Sequence, residues 1–281
     1  MGVLLEGGFF FESPRWHDGR WWVSDFYARE VCSFRPDGRD VRREATVDGM
    51  PSGLGWRPDG TLLMVSMIDR KLLGRAPDGA IHVVADLAGL AGGPCNDMVV
   101  DPEGRAWIGN FGYDFFGRGK FAPACLVRVD PDATASVVAD GLLFPNGCVI
   151  TPDGSTLIAG QTFGESYLAF TITEDGSLVD RRVWAEVPGM HPDGCCLDAE
   201  GRIWCADAGG HSCVLVAEGG RIVSEVLTPH GLHPYACMLG GPTGTTLLQS
   251  CAPDSHMKRR MARRESVLIT TDVDVPGAGL P

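Results

Sequence analysis

Several features that mark common protein classes are absent from this sequence. The segment Met1–Glu6 has neither a charged n-region nor a cleavable apolar run, so we expect no secretory signal. No apolar run reaches the length of a membrane-spanning helix. A serine nucleophile elbow, a phosphate-binding loop and a dinucleotide fingerprint are all missing, because Gly7-Gly8 and Gly209-Gly210 lack the strand–turn–helix setting. The sequence therefore disfavours covalent serine catalysis.

Basic residues are scarce relative to acidic ones. The 281 residues include 24 Lys and Arg against 36 Asp and Glu, which gives a formal net charge of −12. This negative charge disfavours nucleic acid and anionic membranes as partners, and it suits a cation site. A basic run at residues 258–264 is expected to be a solvated loop.

The ten cysteines do not indicate a disulfide framework. Several of them, including Cys148, Cys195, Cys196 and Cys205, lie inside strand-like apolar runs, where a thiol behaves as a small buried hydrophobe. Because no secretory signal is expected, this pattern predicts free thiols in a reducing, cytoplasmic setting.

One pattern recurs six times along the chain. A lead residue, polar in five copies, comes first, a short apolar run follows, and a tight turn rich in Asp-Gly or Glu-Gly ends the unit. The turns lie 41 to 50 residues apart, which is the length of a four-stranded propeller blade rather than of a helical repeat. The turn residues are Asp18, Asp59, Glu103, Asp153, Glu200 and Thr243.

A second turn lies about halfway through five of the repeats, as at residues 36–38 and 77–79. Two hairpin turns per repeat are what four antiparallel strands need. The sequence therefore predicts an all-β, six-bladed β-propeller that forms a single domain over residues 1–281. A propeller ring must close, and we expect Val3–Leu5 to pair with Ser266–Val273, which removes an exposed sheet edge.

The lead residues of the repeats are the candidate functional residues. Inner strands of a propeller start around one end of the central channel, so their lead residues are expected to face one another there. Four of them carry carboxylate or carboxamide oxygens, which favour one divalent cation with positions open to water and substrate. The lead residues are Glu12, Ser52, Asn96, Asn146, Asp193 and Ala236.

A structural interpretation of these residues is also open. Asn and Asp before Gly are good turn residues, so Asn146-Gly147 and Asp193-Gly194 could be ordinary starts of strands. Four such side chains in matched register favour the cation site. Without a cation, Glu12 and Asp193 would repel each other at the channel mouth.

Five motifs surround the lead residues: Phe11-Glu12-Ser13-Pro14-Arg15-Trp16, Pro51-Ser52-Gly53-Leu54-Gly55-Trp56, Pro94-Cys95-Asn96-Asp97-Met98, Phe144-Pro145-Asn146-Gly147 and the run from Pro192 to Gly201. Together they resemble the SMP-30/gluconolactonase/regucalcin-like family over nearly the whole chain. The resemblance implies a six-bladed propeller, one divalent metal ion and hydrolysis of sugar-derived or other lactones. Carried over by motif, it implies Glu12, Asn146 and Asp193 as metal ligands, with Asn96 as a fourth ligand or a contact to metal-bound water or substrate.

One departure from the family concerns the substrate. Pro94 stands two residues before Asn96, where sugar-lactonase members tend to carry an Arg that holds substrate oxygens. Its absence disfavours a sugar acid lactone. Aromatic residues expected in the pocket wall favour a less polar lactone or ester: Phe111, Tyr113, Phe115, Phe116, Phe144, Phe163 and Tyr235.

Further polar residues are candidate substrate contacts. They are Asn96, Asn110, Gln161, Tyr235 and His191, with His211 as an additional candidate. His191 lies two residues before Asp193, near the expected channel mouth, and could also relay a proton.

The function that these features predict is metal-dependent hydrolysis, most simply of a small lactone. The metal would act as a Lewis acid on the carbonyl oxygen, with Asp193 as ligand, general base or both. Oxygen ligands admit calcium, magnesium, manganese, iron(II) or zinc. Alternatives are a metal-dependent esterase, a phosphotriesterase, and a non-enzymatic metal- or ligand-binding propeller. We expect a monomer or homodimer whose partner is a small lactone or ester.

Overall fold

A computed structural model of the protein describes residues 1–278 and consists almost entirely of β-strands. Within this part of the chain the strands are β1 (Gly2–Gly8), β2 (Phe11–His17), β3 (Arg20–Asp25), β4 (Glu30–Phe34), β5 (Arg42–Thr46), β6 (Pro51–Trp56), β7 (Leu62–Ser66), β8 (Lys71–Arg75), β9 (Ile81–Asp86), β10 (Cys95–Val100), β11 (Ala106–Asn110), β12 (Ala124–Val129), β13 (Ala135–Leu142), β14 (Pro145–Ile150), β15 (Thr156–Gln161), β16 (Ser166–Ile172), β17 (Leu178–Glu186), β18 (Pro192–Leu197), β19 (Ile203–Asp207), β20 (Ser212–Val216), β21 (Ile222–Leu227), β22 (His233–Gly240), β23 (Thr246–Ala252) and β24 (Ser266–Asp272).

The strands form six antiparallel sheets of four, and in five of them the strands follow the order of the chain from the innermost strand outwards. Blade one is β2–β5, blade two β6–β9, blade three β10–β13, blade four β14–β17 and blade five β18–β21. The inner strands contact one another in sequence, and β22 contacts β2, so the sheets close into a ring. The predicted six-bladed propeller is confirmed.

The N-terminal strand closes the ring. Blade six consists of β22, β23 and β24, with β1 as its outermost strand. Val3 pairs with Ile269 and Leu5 with Leu268, as the sequence predicts. The last strand of the chain therefore has a partner on both sides, which covers a sheet edge that would otherwise be exposed.

The turn that ends each inner strand explains the recurring glycine of the repeats. The six turn glycines adopt positive φ angles between 70° and 84°, a conformation that costs glycine little and other residues more. They are Gly19, Gly60, Gly104, Gly154, Gly201 and Gly244.

Burial increases from the outer to the inner strands. The inner strands β10, β14 and β18 are buried at every position, whereas the outer strand β21 is exposed or half-buried throughout. Apolar side chains from neighbouring blades pack into clusters between the sheets. Nine of the ten cysteines are buried there or beside the inner strands, and all ten are free within the described residues.

One expectation about the surface is wrong in part. The basic run begins with a helical turn, Met257–Arg260, and Arg260 is buried rather than solvated. Its Nη2 atom lies 2.8 Å from Glu265 Oε2 and 3.4 Å from Asp254 Oδ2, which explains how the charge is accommodated. Among the helices in residues 1–278, none has the length and hydrophobicity needed to span a membrane.

Candidate active site

The inner strands bring the lead residues to one end of the channel. Glu12, Asn96, Asn146 and Asp193 are each the second residue of their strand, in blades one, three, four and five. All four line one cavity of about 250 Å³. The two remaining lead residues, Ser52 and Ala236, are buried outside the lining of this cavity.

An irregularity in strand pairing accompanies the lead residue of every blade. In blade one the register of β2 against β3 shifts between Glu12 and Arg15, and each of the other five inner strands shifts at the corresponding place. Bulges of this kind redirect side chains and are frequent beside functional sites. The shift gives the lead residues a common position in the ring, and in blades one, three, four and five their side chains line the cavity.

The glycines after two lead residues allow the inner strands to approach closely. A Cβ atom on Gly147 would lie 2.6 Å from the Asp193 carbonyl oxygen, and one on Gly194 would lie 2.5 Å from Ala236 Cβ. Asn146 and Asp193 therefore precede Gly because blades must pack tightly here. Both lie at the starts of strands, and both also line the cavity.

The two carboxylates of the cavity lie in an unfavourable electrostatic environment. Burial, followed by the charge of Asp193, raises the pKa of Glu12 well above 4.5. Burial, followed by the charge of Asp97, raises the pKa of Asp193 well above 3.8. Within residues 1–278 neither carboxylate has an ion-pair partner. Two buried anions without a protein cation are what a bound metal ion would stabilise.

The carboxamides complete a set of oxygen donors. Asn146 Nδ2 donates to Thr162 Oγ1 at 3.2 Å, and Thr162 Oγ1 donates to the Pro192 carbonyl oxygen at 2.7 Å. The Asn96 carboxamide nitrogen is buried without a hydrogen-bond partner. In the described chain no three His, Cys, Asp or Glu side chains cluster as a metal site, so any ion here would use carboxamides as well as carboxylates. This donor set fits a hard divalent cation.

The structure separates the candidate substrate contacts into two groups. His191, Tyr235 and Asn96 line the cavity. The ring of His191 lies against Gly209, where a Cβ atom would meet its Nδ1 at 2.3 Å, and this nitrogen has no hydrogen-bond partner.

Asn110 and Gln161 do not line the cavity, contrary to expectation. Asn110 Nδ2 donates to the Cys125 carbonyl oxygen, and its Oδ1 accepts from the Gly112 amide. Gln161 accepts from the Leu143 amide and donates to Ser166 Oγ. Both side chains are occupied in fixing loops, so we exclude them from the site. His211 also lies outside the lining, beside His233.

Nine aromatic residues form two walls on opposite sides of the cavity. We name each wall after the blades that contribute to it. The 6/1 wall consists of Phe10, Phe26, Tyr27 and Tyr235, and the 3/4 wall consists of Phe111, Phe115, Phe116, Phe144 and Phe163. Six of the seven predicted wall residues are present; Tyr113 packs behind the wall.

Sequence reasoning missed most of the 6/1 wall. Phe10, Phe26 and Tyr27 line the cavity but are not among the wall residues that the sequence predicted. A signal existed, because the second strand of a blade runs antiparallel to the first, so the residues after β3 return to the start of β2. The same reasoning applies to Thr162, which follows β15.

Two proteins that are named as lactonases are similar in sequence to this chain. A 6-deoxy-6-sulfogluconolactonase of Pseudomonas putida is 27% identical over 191 residues, covering 66% of this chain and 64% of that protein. Pentonolactonase XacC of Haloferax volcanii is 29% identical over 206 residues, covering 69% and 65%. In both cases the match spans just under two thirds of the relative.

A solved structure is similar along nearly the whole chain. The calcium-binding protein regucalcin of Agrobacterium tumefaciens superposes with a TM-score of 0.80 at 20% identity, covering 99% of this chain and 94% of that one. At this identity the likeness concerns the fold. The model of the SMP-30/gluconolactonase/LRE-like region matches residues 10–252. The chain therefore belongs to the SMP-30/gluconolactonase/LRE-like family.

Proposed function

We propose that this chain is a divalent-metal-dependent lactonase whose metal ligands are Glu12, Asn96, Asn146 and Asp193. One observation carries the proposal: Glu12 and Asp193 are buried together, without a cationic partner in the part of the chain that the structure describes, beside two carboxamides in a cavity large enough for a small molecule. The names of the two curated relatives, both lactonases, support the reaction class.

The donor set favours a hard cation. Carboxylate and carboxamide oxygens suit calcium, magnesium or manganese, whereas zinc in proteins prefers nitrogen and sulfur ligands. The buried Cys95 and Cys195, next to two ligands, point into the clusters between blades and are not in the cavity lining. Calcium is the first ion to test, because the superposed regucalcin is described as calcium-binding.

The reaction is the addition of one water molecule to the lactone. A divalent cation at this site would supply Lewis-acid polarisation of the carbonyl group. Asp193 holds the attacking water and accepts its proton as the new C–O bond forms at the carbonyl carbon. The ring C–O bond then breaks, the leaving oxygen takes up a proton, and the product is a hydroxy acid. His191 lies in the cavity wall, where it contacts the substrate.

The cysteines support a reducing location. All ten thiols are free within the described residues, and burial raises the pKa of Cys95 to about 12, which keeps that thiol protonated and unreactive. We therefore propose a cytoplasmic protein.

The test is reconstitution of activity with defined metal ions. Chelator-treated protein is reloaded with calcium, magnesium, manganese, iron(II) or zinc, and proton release is followed on lactones and aryl esters. We expect one hard cation to restore lactone opening and Asp193→Ala to lower kcat/KM by at least about 100-fold. The control is Asp198→Asn, which changes a buried carboxylate that directly follows β18, pairs with Arg202 at 2.7 Å and lies outside the cavity lining; we expect it to keep metal-dependent activity.

Each alternative has its own result in this assay. Faster turnover of acyclic aryl esters than of lactones would indicate an esterase, and turnover of phosphotriesters alone would indicate a phosphotriesterase. Metal binding without turnover would indicate a binding protein. Full activity in the presence of excess chelator would contradict the proposal.

A further inference from the structure

The two aromatic walls face each other across the ring. In a ring of six blades, the junction of blades six and one lies opposite the junction of blades three and four. The 6/1 wall and the 3/4 wall belong to these two junctions. The cavity is therefore a slot with aromatic rings on both sides and the proposed metal ligands between them.

Contacts among the rings hold each wall in place. In the 3/4 wall, Phe144 stacks on Phe111 with ring centroids 4.4 Å apart and contacts Phe163 at 4.7 Å. In the 6/1 wall, Phe10 contacts Tyr235 at 4.8 Å and Phe26 at 5.4 Å. Each wall is a packed unit that can receive a ring without first being ordered, and preorganisation of this kind favours binding.

The backbone of Phe144 indicates that its ring position is imposed. Its φ angle is 62°, in the left-handed region that is unfavourable for a bulky residue, by about 1–2 kcal/mol. Phe144 also directly precedes Pro145 and the proposed ligand Asn146. Strain of this kind persists where the surrounding structure determines it, most often at functional sites.

The slot offers little to a charged or polyhydroxylated ligand. None of the described lining residues is Lys or Arg, and Glu12 and Asp193 are the charged groups. The Thr162 hydroxyl is already used by Pro192 and Asn146. Burial raises the pKa of Tyr27 to about 12, so this phenol stays neutral. Sugar hydroxyls could find partners in Ser255, His191 and the two tyrosines, but the 3/4 wall consists of phenylalanines alone, and hydroxyls facing it would lose hydration without replacement.

The volume limits the size of the ligand. The cavity has a volume of about 250 Å³, which suits a small molecule such as a lactone ring fused to one further ring. The exposed rings of Phe115 and Phe163 extend the apolar surface to the mouth of the slot.

We infer that this slot binds an uncharged lactone that carries a flat apolar ring, and that the ring lies between the 6/1 wall and the 3/4 wall. The inference rests on the proposed lactonase function. Hydrolysis adds the water oxygen to the carbonyl carbon and breaks the ester C–O bond. One water proton ends on the leaving oxygen, and the other is released when the acid ionises.

Non-hydrolysable lactams test the slot independently of turnover. Binding of dihydroquinolinone, in which a benzene ring is fused to the lactam, is compared with binding of δ-valerolactam by calorimetry on calcium-loaded protein. We expect the fused lactam to bind at least about tenfold more tightly, because the added ring contacts both walls. Hydrolysis of dihydrocoumarin, δ-valerolactone and gluconolactone is measured in parallel.

Two phenylalanines of the same loop give a matched pair of variants. Phe115 lines the slot and is 38% exposed, whereas Phe121 is 46% exposed and does not line it. Phe115→Ala is expected to reduce the preference for the fused lactam about two- to tenfold. Phe121→Ala is expected to retain it. The two side chains are similarly exposed, so a similar loss of packing is expected in both variants, and circular dichroism checks that both fold.

The outcomes separate the inference from the proposed function. Equal affinity of the wild-type protein for dihydroquinolinone and δ-valerolactam would contradict the binding of a flat ring between the two walls, whatever the rates of hydrolysis. Hydrolysis of δ-valerolactone with no preference for dihydrocoumarin would support the lactonase function and contradict the binding of a flat ring between the two walls. Tight binding of dihydroquinolinone with no hydrolysis of any lactone would support the slot and overturn the catalytic function.

Discussion

Two groups of buried charges lie side by side in the channel, and only one of them is neutralised by the protein. Arg15 and Asp97 form an ion pair at 2.6 Å, and Arg15 also donates to the carbonyl oxygens of Leu54, Pro14 and Met98. Glu12 and Asp193 have no such partner within the described residues, although the charge of Asp97 acts on both.

The comparison separates structural from functional charge. Strand β2 supplies Glu12 to one group and Arg15 to the other, and β10 supplies Asp97 next to Asn96. The ion pair of Arg15 and Asp97, which we call the saturated pair, fixes how these inner strands meet. Glu12 and Asp193, which have no cationic partner in the described residues, form the unsaturated pair. An unsaturated pair of carboxylates lowers the stability of the metal-free protein and leaves a site for an external cation. Three experiments test this difference.

Breaking the saturated pair should have the largest effect. Arg15→Met leaves Asp97 buried without a counter-charge, and we expect the free energy of unfolding to fall by about 3–5 kcal/mol. Urea denaturation at neutral pH measures this change. The double variant Arg15→Met/Asp97→Leu removes both charges and should recover much of the loss. If the double variant were as unstable as the single one, shape rather than charge would be the cause.

Binding of a cation by the unsaturated pair, Glu12 and Asp193, should stabilise the protein by a smaller amount. A calcium concentration 100 times the dissociation constant should raise the free energy of unfolding by about 2.7 kcal/mol. In Asp193→Asn this gain should disappear, because a ligand charge is lost. Thermal unfolding over a calcium titration measures both, with Asp198→Asn as the control that keeps the gain. Calcium stabilisation that survives in Asp193→Asn would place the ion elsewhere.

The smallest effect concerns the pH dependence of the metal-free protein. The pKa of Asp193 is raised on folding, so above its ordinary value of 3.8 the folded state binds more protons than the unfolded state. The contribution of Asp193 to the free energy of unfolding is therefore fully present below pH 3.8, and it is lost as the pH rises through the pKa that Asp193 has in the folded protein. In chelator, Asp193→Asn should be the more stable protein at neutral pH, and its advantage should shrink towards pH 4.

Melting temperatures of the two proteins from pH 4 to 8 check this sign. The difference between wild type and variant reports the titration of Asp193 together with that of Glu12, because the charge of Asp193 raises the pKa of Glu12. A difference that is constant with pH, or largest at pH 4, would contradict the electrostatic interpretation.

Much of the fold could be predicted because it repeats. Six copies of one turn at regular spacing define the blades, and the left-handed glycine after each turn residue keeps the signal visible. The ring closure of Val3 with Ile269 was predictable for a similar reason, since an open sheet edge is unfavourable. The basic run was less predictable: nothing local shows that Glu265 and Asp254 receive Arg260.

The proposed metal ligands were predictable because the repeat carries them. Glu12, Asn96, Asn146 and Asp193 share one position of the unit, so their convergence follows from the ring. Asn110 and Gln161 are the last residues of the second strands of blades three and four. Hydrogen bonds to nearby backbone groups hold their side chains outside the cavity lining. Sequence pattern does not report which of two nearby partners a carboxamide binds.

By itself, the sequence determined the number of blades, the closure of the ring and the residues that reach the channel mouth, because each follows from periodicity and chain connectivity. Only the tertiary structure decided which buried carboxylate has an arginine partner and which has none among residues 1–278. It also decided that rings from opposite junctions, such as Tyr27 and Phe144, form the two sides of one slot. These relations join residues distant in the chain, so they depend on packing rather than on local pattern.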